Sequence, residues 1–139
     1  MQESKTLNYY DEKTQEFIES TVNVDFQETQ DKFLKLLAPK AHILDFGCGS
    51  GRDTKYFLEQ GFQVTAIDGS AELCKFASAL TGIEVKQMFF QELSEIESYD
   101  GIWACSSILH LPYTDLKDVF LKMVKAVKNG GVIYTSFKY

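Results

Sequence analysis

The residues best suited to chemistry are concentrated in one stretch, Asp45-Phe46-Gly47-Cys48-Gly49-Ser50-Gly51-Arg52. Alternating glycines permit a tight turn and let a ligand lie against bare backbone. If a helix starts at Arg52, its first N–H groups lack partners and carry partial positive charge, which suits a carboxylate or phosphate. Arg52 could add an ion pair in that first turn. Asp68, about 20 residues further on, is placed to accept hydrogen bonds from both hydroxyls of a ribose in an adenosine-type ligand. One such charged hydrogen bond contributes about 1.5–3 kcal/mol. Alone, Asp68-Gly69 reads as a turn; behind this loop, at this spacing, the ribose contact is favoured.

The spacing also excludes. A dinucleotide loop wants Gly-x-Gly-x-x-Gly, and Arg52 stands where the third glycine would fall. The Gly-Lys-Ser/Thr of a phosphate loop is absent. Both pyrophosphate readings are therefore disfavoured.

These groups need a frame. The segment 3–38 has apolar residues at roughly helical spacing (Leu7, Tyr10, Phe17, Ile18, then Phe26, Phe33, Leu34, Leu36, Leu37), which predicts two helices. The second runs from near Asp25 and stops before Pro39. After Pro39 short apolar runs alternate with helical patterns. Strands are expected over 42–46, 63–67, 84–89, 101–105 and 132–137. Helices are expected over 52–60, from Ser70 as N-cap to Gly82, and over 115–127, the last stopped by Asn129-Gly130-Gly131. Strands one, two, four and five are nearly continuous apolar runs, as when both faces of a sheet are covered. The pattern predicts an α/β, doubly wound parallel sheet, with ligands beyond the carboxyl ends of the strands.

The composition agrees. The chain has 139 residues, 45% apolar and 24% charged, with formal charge −6. That is the balance of one soluble globular domain, 1–139, divided into a helical cap (1–38) and an α/β core (41–139). No apolar run reaches membrane-span length, and the N-terminus lacks the apolar core of a secretory signal. The acidic total argues against nucleic acid as partner. Cys48, Cys74 and Cys105 form neither a Cys-x-x-Cys pair nor a metal set; they read as buried free thiols of a cytoplasmic protein, and no metal is expected.

The run Ile43-Leu44-Asp45-x-Gly47-Cys48-Gly49-x-Gly51, the acid Asp68, Tyr99-Asp100-Gly101-Ile102, and Asn129-Gly130-Gly131 before a last strand resemble the class I S-adenosylmethionine-dependent methyltransferases. The likeness runs from about residue 43 to the end, and falls nearest the methyltransferase type 11/25 and tellurite-resistance-like group. It implies a Rossmann-like sheet in the order 3-2-1-4-5, S-adenosyl-L-methionine as cofactor with S-adenosyl-L-homocysteine as product, and methyl transfer. It also implies roles. Asp45 would orient the loop and approach the methionine ammonium. Gly47, Cys48, Gly49 and Gly51 would line the methionine and ribose, and Arg52 would meet the carboxylate. Asp68 would hold the ribose hydroxyls, with Gly69 and Ser70 flanking the adenine and Phe90, Gln91 and Glu92 forming its edge. Cys105 and Ser106 would pass beside the sulfonium. Tyr9, of the pair Tyr9-Tyr10, would close the site. The family's Asp soon after strand three is missing; Gln91 or backbone would read the adenine amino group instead.

His110, a few residues beyond strand four, is the candidate general base should the acceptor have to lose a proton; a local packing or capping role stands equally open. His42, before strand one, is expected to be structural, and Trp103 to lie in the core. No Asn/Asp-Pro-Pro-Tyr/Phe signature of nucleic-acid amino methylation occurs, nor a Pro-Cys pair, so a small-molecule acceptor is expected. The family's antiparallel hairpin after strand five is missing from the sequence. A truncated or shortened form is therefore expected, with the bare edge of 132–137 pairing in a homodimer or domain swap. Three functions are weighed: an active small-molecule methyltransferase, a catalytically incomplete cofactor-binding fragment, and a nicotinamide-dependent dehydrogenase, the last weakened by the glycine spacing.

Overall fold

The computed structural model describes residues 27–105 and 113–136. Five strands form one parallel sheet in the order β3-β2-β1-β4-β5. In chain order the elements are α1 (Gln27–Leu34), β1 (His42–Phe46), α2 (Arg52–Glu59), β2 (Gln63–Asp68), α3 (Ala71–Thr81), β3 (Lys86–Gln87), a 3-10 turn (Phe90–Glu92), β4 (Tyr99–Cys105), α4 (Tyr113–Ala126) and β5 (Val127–Ser136). The expected strand order and helix–strand alternation are both present. The first expected helix lies outside the described residues.

The sheet is covered on both faces, which is why its strands read as apolar runs. One cluster joins Leu44, Phe46, Ile67, Ile102 and Ala104 to Val119 and Met123 of α4. Another joins Ile43, Phe57 and Trp103 to Phe33 and Leu34 of α1. Phe33 is the centre of an aromatic group, with ring centroids 5.9 Å from Phe57 and 5.1 Å from Trp103. Full burial of side chains this large contributes roughly 1.5–3 kcal/mol each.

Three boundaries differ from the expectation. The third strand shrinks from 84–89 to Lys86–Gln87. Both residues are exposed on the outermost described strand of that side, while the flanking Val85 and Met88 pack inward. Helix α1, described over Gln27–Leu34, ends at Leu34, and the chain turns through 35–37 before Pro39; its expected start near Asp25 lies outside the described residues. The last strand begins earlier, because Val127 pairs with Tyr99 before the register jumps to Gly101↔Val132. The loop between the two pairings closes on Gly131, where a Cβ would stand 2.7 Å from the Asp100 carbonyl oxygen.

Candidate functional site

Parallel pairing brings the carboxyl ends of β1, β2 and β4 to one edge of the sheet. The glycine loop leaves β1 at that edge. Gly47, Gly49 and Gly51 have φ of +84°, +58° and +94°, a region that residues with a Cβ rarely adopt. The loop is tied to β2: Gly47 N and Cys48 N both donate to Ile67 O, at 3.0 and 2.9 Å. Gly51 has a second reason to lack a side chain, since a Cβ there would lie 3.0 Å from Ala77 Cβ of α3.

Asp68 ends β2 with its carboxylate turned to the loop. Oδ1 accepts from Gly49 N at 3.1 Å and Oδ2 from Ser70 N at 3.0 Å. Ser70 then caps α3, its Oγ accepting from Leu73 N at 3.3 Å. One acid thus sets both the glycine turn and the start of the next helix.

Asp45 is buried beneath the loop and accepts from Thr54 Oγ1 at 2.6 Å. Burial, with the neighbouring charges of Asp53 and Asp68, raises its pKa well above the ordinary carboxylate range, against the Thr54 bond and Arg52. Burial likewise pushes the Cys48 thiol up, reinforced by Asp45 and Asp68, which disfavours a thiolate nucleophile; the side chain packs in a small core with Ala66, Cys74 and Ala77.

Arg52 does stand at the first position of α2. Its Nε and Nη2 donate side-on to Asp53 Oδ1 and Oδ2, both at 3.0 Å. Phe90 packs its ring 4.7 Å from Phe46, the last residue of β1. Glu92 bends back to accept from Phe89 N at 2.8 Å, and the Gln91 carbonyl accepts from Lys122 Nζ of α4. Gly69 O accepts from Gln87 Nε2 at 3.3 Å. Cys105 ends β4, half-buried and outside any disulfide. Tyr9, Ser106 and His110 lie outside the described residues. The residues placed together are therefore Asp45, the 47–52 loop, Asp68 to Ser70 and Cys105, with the 90–92 turn following β3.

His42 sits at the opposite edge of the sheet, and Trp103 is fully buried, both as expected. Sequence reasoning missed Asp53, Gln30 and Thr54. Asp53 accepts from Gln30 Nε2 of α1 at 2.6 Å and from Trp103 Nε1 of β4 at 2.9 Å, besides Arg52. A signal existed: an acidic residue in the first turn of an amphipathic helix is usually solvated, but Asp53 falls on the same helix face as Phe57.

A parallel sheet in this order, a left-handed glycine loop and an acid closing the next strand together define a Rossmann-like protein built to hold a nucleoside-type ligand. A family model described as "Methyltransferase domain" matches residues 43–131, and the chain belongs to that family. The family's methyl donor is S-adenosyl-L-methionine. The chain is 32% identical over 125 residues to the 2-methyl-6-phytyl-1,4-hydroquinone methyltransferase of Synechocystis sp., covering 85% of this chain and 38% of that protein. It is 31% identical over 102 residues to the ubiquinone biosynthesis O-methyltransferase of Rickettsia conorii, covering 70% and 35%. Streptomyces venezuelae DesVI superposes with a TM-score of 0.71 at 15% identity, over 81% of this chain and 49% of that one, a likeness of fold alone. The chain spans less than half the length of the curated relatives it matches. Among the described residues no helix is long and apolar enough to cross a membrane.

Proposed function

We propose that this chain is a cytoplasmic S-adenosylmethionine-dependent methyltransferase acting on a small-molecule acceptor. The observation that carries this reading is the joining of the glycine loop to Asp68: an acceptor-only carboxylate, fixed at both oxygens by backbone N–H groups, beside bare backbone that only glycine can supply. That chemistry fits a ribose diol held against a peptide loop.

The cofactor supplies a methyl group on a sulfonium, already activated for displacement. The protein's task is then to bind, orient and exclude water. In this reading Asp68 accepts the ribose hydroxyls, with Gly69 and Ser70 beside the adenine and Phe90, Gln91 and Glu92 at its edge. The glycine loop and Cys48 carry the methionine portion. Asp45 faces the ammonium, and an arriving cation opposes the burial that raises its pKa. Arg52 takes the carboxylate. Cys105 and Ser106 flank the sulfur, and Tyr9 in the cap 1–38 closes the site. Fixing donor and acceptor in this way can supply up to about 7–11 kcal/mol of the barrier. His110, five residues beyond Cys105 in sequence, takes a proton where the acceptor must lose one.

Calorimetry with S-adenosylhomocysteine and with NAD tests the cofactor assignment: binding of the first and not the second is expected, and the reverse sinks it. Transfer of labelled methyl to a panel of small molecules tests activity, with His110→Asn slowing only the acceptors that must be deprotonated. Homodimerisation or a swap through β5, whose outer edge carries no strand among the described residues, predicts a two-chain mass in light scattering.

A further inference from the structure

Asp53 carries more hydrogen bonds than a helix-start acid needs. Four N–H donors converge on its carboxylate: Gln30 Nε2 and Arg52 Nε on Oδ1, Arg52 Nη2 and Trp103 Nε1 on Oδ2. They come from α1, α2 and β4, from positions 23 residues before and 50 residues after it. Neighbouring Arg and Asp residues on a surface contribute little. Here the Asp53 side chain is 9% exposed and that of Arg52 21%. A pair this far out of water is stable only when hydrogen bonds satisfy it fully, and the Gln30 and Trp103 donors complete that satisfaction.

The geometry also aims the arginine. A guanidinium is a planar fork, so a carboxylate gripping Nε and Nη2 leaves the opposite edge pointing away from it. The Cys105 side chain, the last residue of β4, hydrogen-bonds that same guanidinium. Arg52 is thus held at the carboxyl edge of the sheet, beside the glycine loop. A long side chain already restrained has little rotamer freedom left to lose when an anion arrives.

We propose that Asp53 is a positioning residue: it pre-sets the Arg52 guanidinium for the carboxylate of the ligand, and through Gln30 and Trp103 it makes that setting depend on the docking of α1 against β4. This rests on the assignment of Arg52 to the carboxylate made above. Asp53 touches no ligand itself, and its effect is confined to ligands that carry the amino-acid carboxylate.

The test compares S-adenosylhomocysteine with 5′-methylthioadenosine, which keeps the nucleoside and the thioether sulfur but lacks the amino-acid carboxylate. Titration calorimetry on the full chain is expected to show Asp53→Asn weakening the first ligand about ten- to a hundredfold, the loss of one charged hydrogen bond, and the second by less than about twofold. Arg52→Gln should give the same split, and the double variant should be no weaker than Arg52→Gln alone. Equal weakening of both ligands by Asp53→Asn, with the split retained in Arg52→Gln, would mean that Asp53 is a structural joint only, and would overturn the proposal. Arg52→Gln weakening both ligands equally, or neither, would remove the arginine assignment and the proposal with it. Should Asp53→Asn fail to fold, the unaltered chain still decides. Trp103 is the sole tryptophan and donates to Asp53, so its emission should shift with S-adenosylhomocysteine and stay fixed with methylthioadenosine. Identical responses to the two ligands would overturn the proposal.

Discussion

The two edges of the sheet arrange their polar groups to opposite effect. At the amino edge, complementary groups meet. His42 N donates to Asp100 Oδ2 at 2.8 Å, His42 Nε2 shares a hydrogen bond with Thr65 Oγ1 at 2.8 Å, and its ring lies 4.9 Å from that of Tyr99. Lys128 lies 3.5 Å from Asp100, whose pKa is lowered chiefly by the His42 N–H. At the carboxyl edge, like groups are held together: Asp45, Asp53 and Asp68 gather under one loop, and Asp45 is pushed well up by burial and by the other two. Both edges are hydrogen-bonded, so hydrogen bonding between polar groups does not by itself mark a functional site. Crowded like charges beside a backbone that only glycine can follow distinguish the carboxyl edge, and neither feature favours the empty fold.

The largest expected break in that comparison is Gly51→Val. A β-branched residue at φ +94°, with its Cβ 3.0 Å from Ala77 Cβ and 3.1 Å from Thr81 Cγ2, combines left-handed strain with overpacking, roughly 3–5 kcal/mol together. Gly82→Ala sharpens the contrast. Its φ of +79° is similar but a Cβ there meets nothing within 4 Å, so only the conformational term of about 1–2 kcal/mol is lost. Urea denaturation measures both.

Next is Asp68→Ala. It removes the acceptor for Gly49 N and Ser70 N, and should weaken S-adenosylhomocysteine by about tenfold or more in calorimetry. The corresponding change at the amino edge, Asp100→Ala, should leave that affinity unchanged while lowering the urea midpoint.

Asp45→Asn should act with opposite signs on stability and binding. A carboxyl group whose folded pKa is raised binds its proton more tightly in the native state. Its contribution is therefore full below the unfolded value of about 3.9 and is lost as pH rises through the raised folded value. Asn is neutral at every pH and removes that loss. The variant should be more stable than the parent at pH 8, by roughly 0.5–2 kcal/mol, while binding the cofactor more weakly. A variant that is less stable at pH 8 would show that Asp45 is ionised without strain.

The smallest effect is at His42. Burial lowers its pKa, against the pull of Asp100, so the folded state resists the proton that the unfolded chain accepts. Stability should hold above about pH 6.5 and decline as pH falls through the lowered folded value. Replacing His42 with Gln should flatten that part of the urea-midpoint profile without affecting ligand affinity.

Much of this organisation was legible in the sequence because its signals are local. The glycine loop, Asp68, the Ser70 cap and the Gly82 stop each depend on a few neighbouring residues, and each falls where the spacing indicates. The strand–helix rhythm carries the architecture for the same reason: apolar runs of four to six residues bounded by turn signals favour covered strands. The expected third strand failed where that reason fails. Glu84 to Phe89 looks like a strand, but its pairing depends on what lies beyond it, and among the described residues no strand pairs with its outer side.

What the sequence determined by itself, then, is which backbone can bend, where each helix begins, and that one carboxylate follows the second strand. Only the tertiary structure decided what Asp53 and Trp103 are for. An indole placed by its burial alone proves to be a donor, and an acid that reads as a solvated helix start proves to be the buried joint of α1, α2 and β4. Hydrogen bonds spanning 23 and 50 residues leave no periodicity in the chain, because they exist only after the apolar faces have closed and water has left.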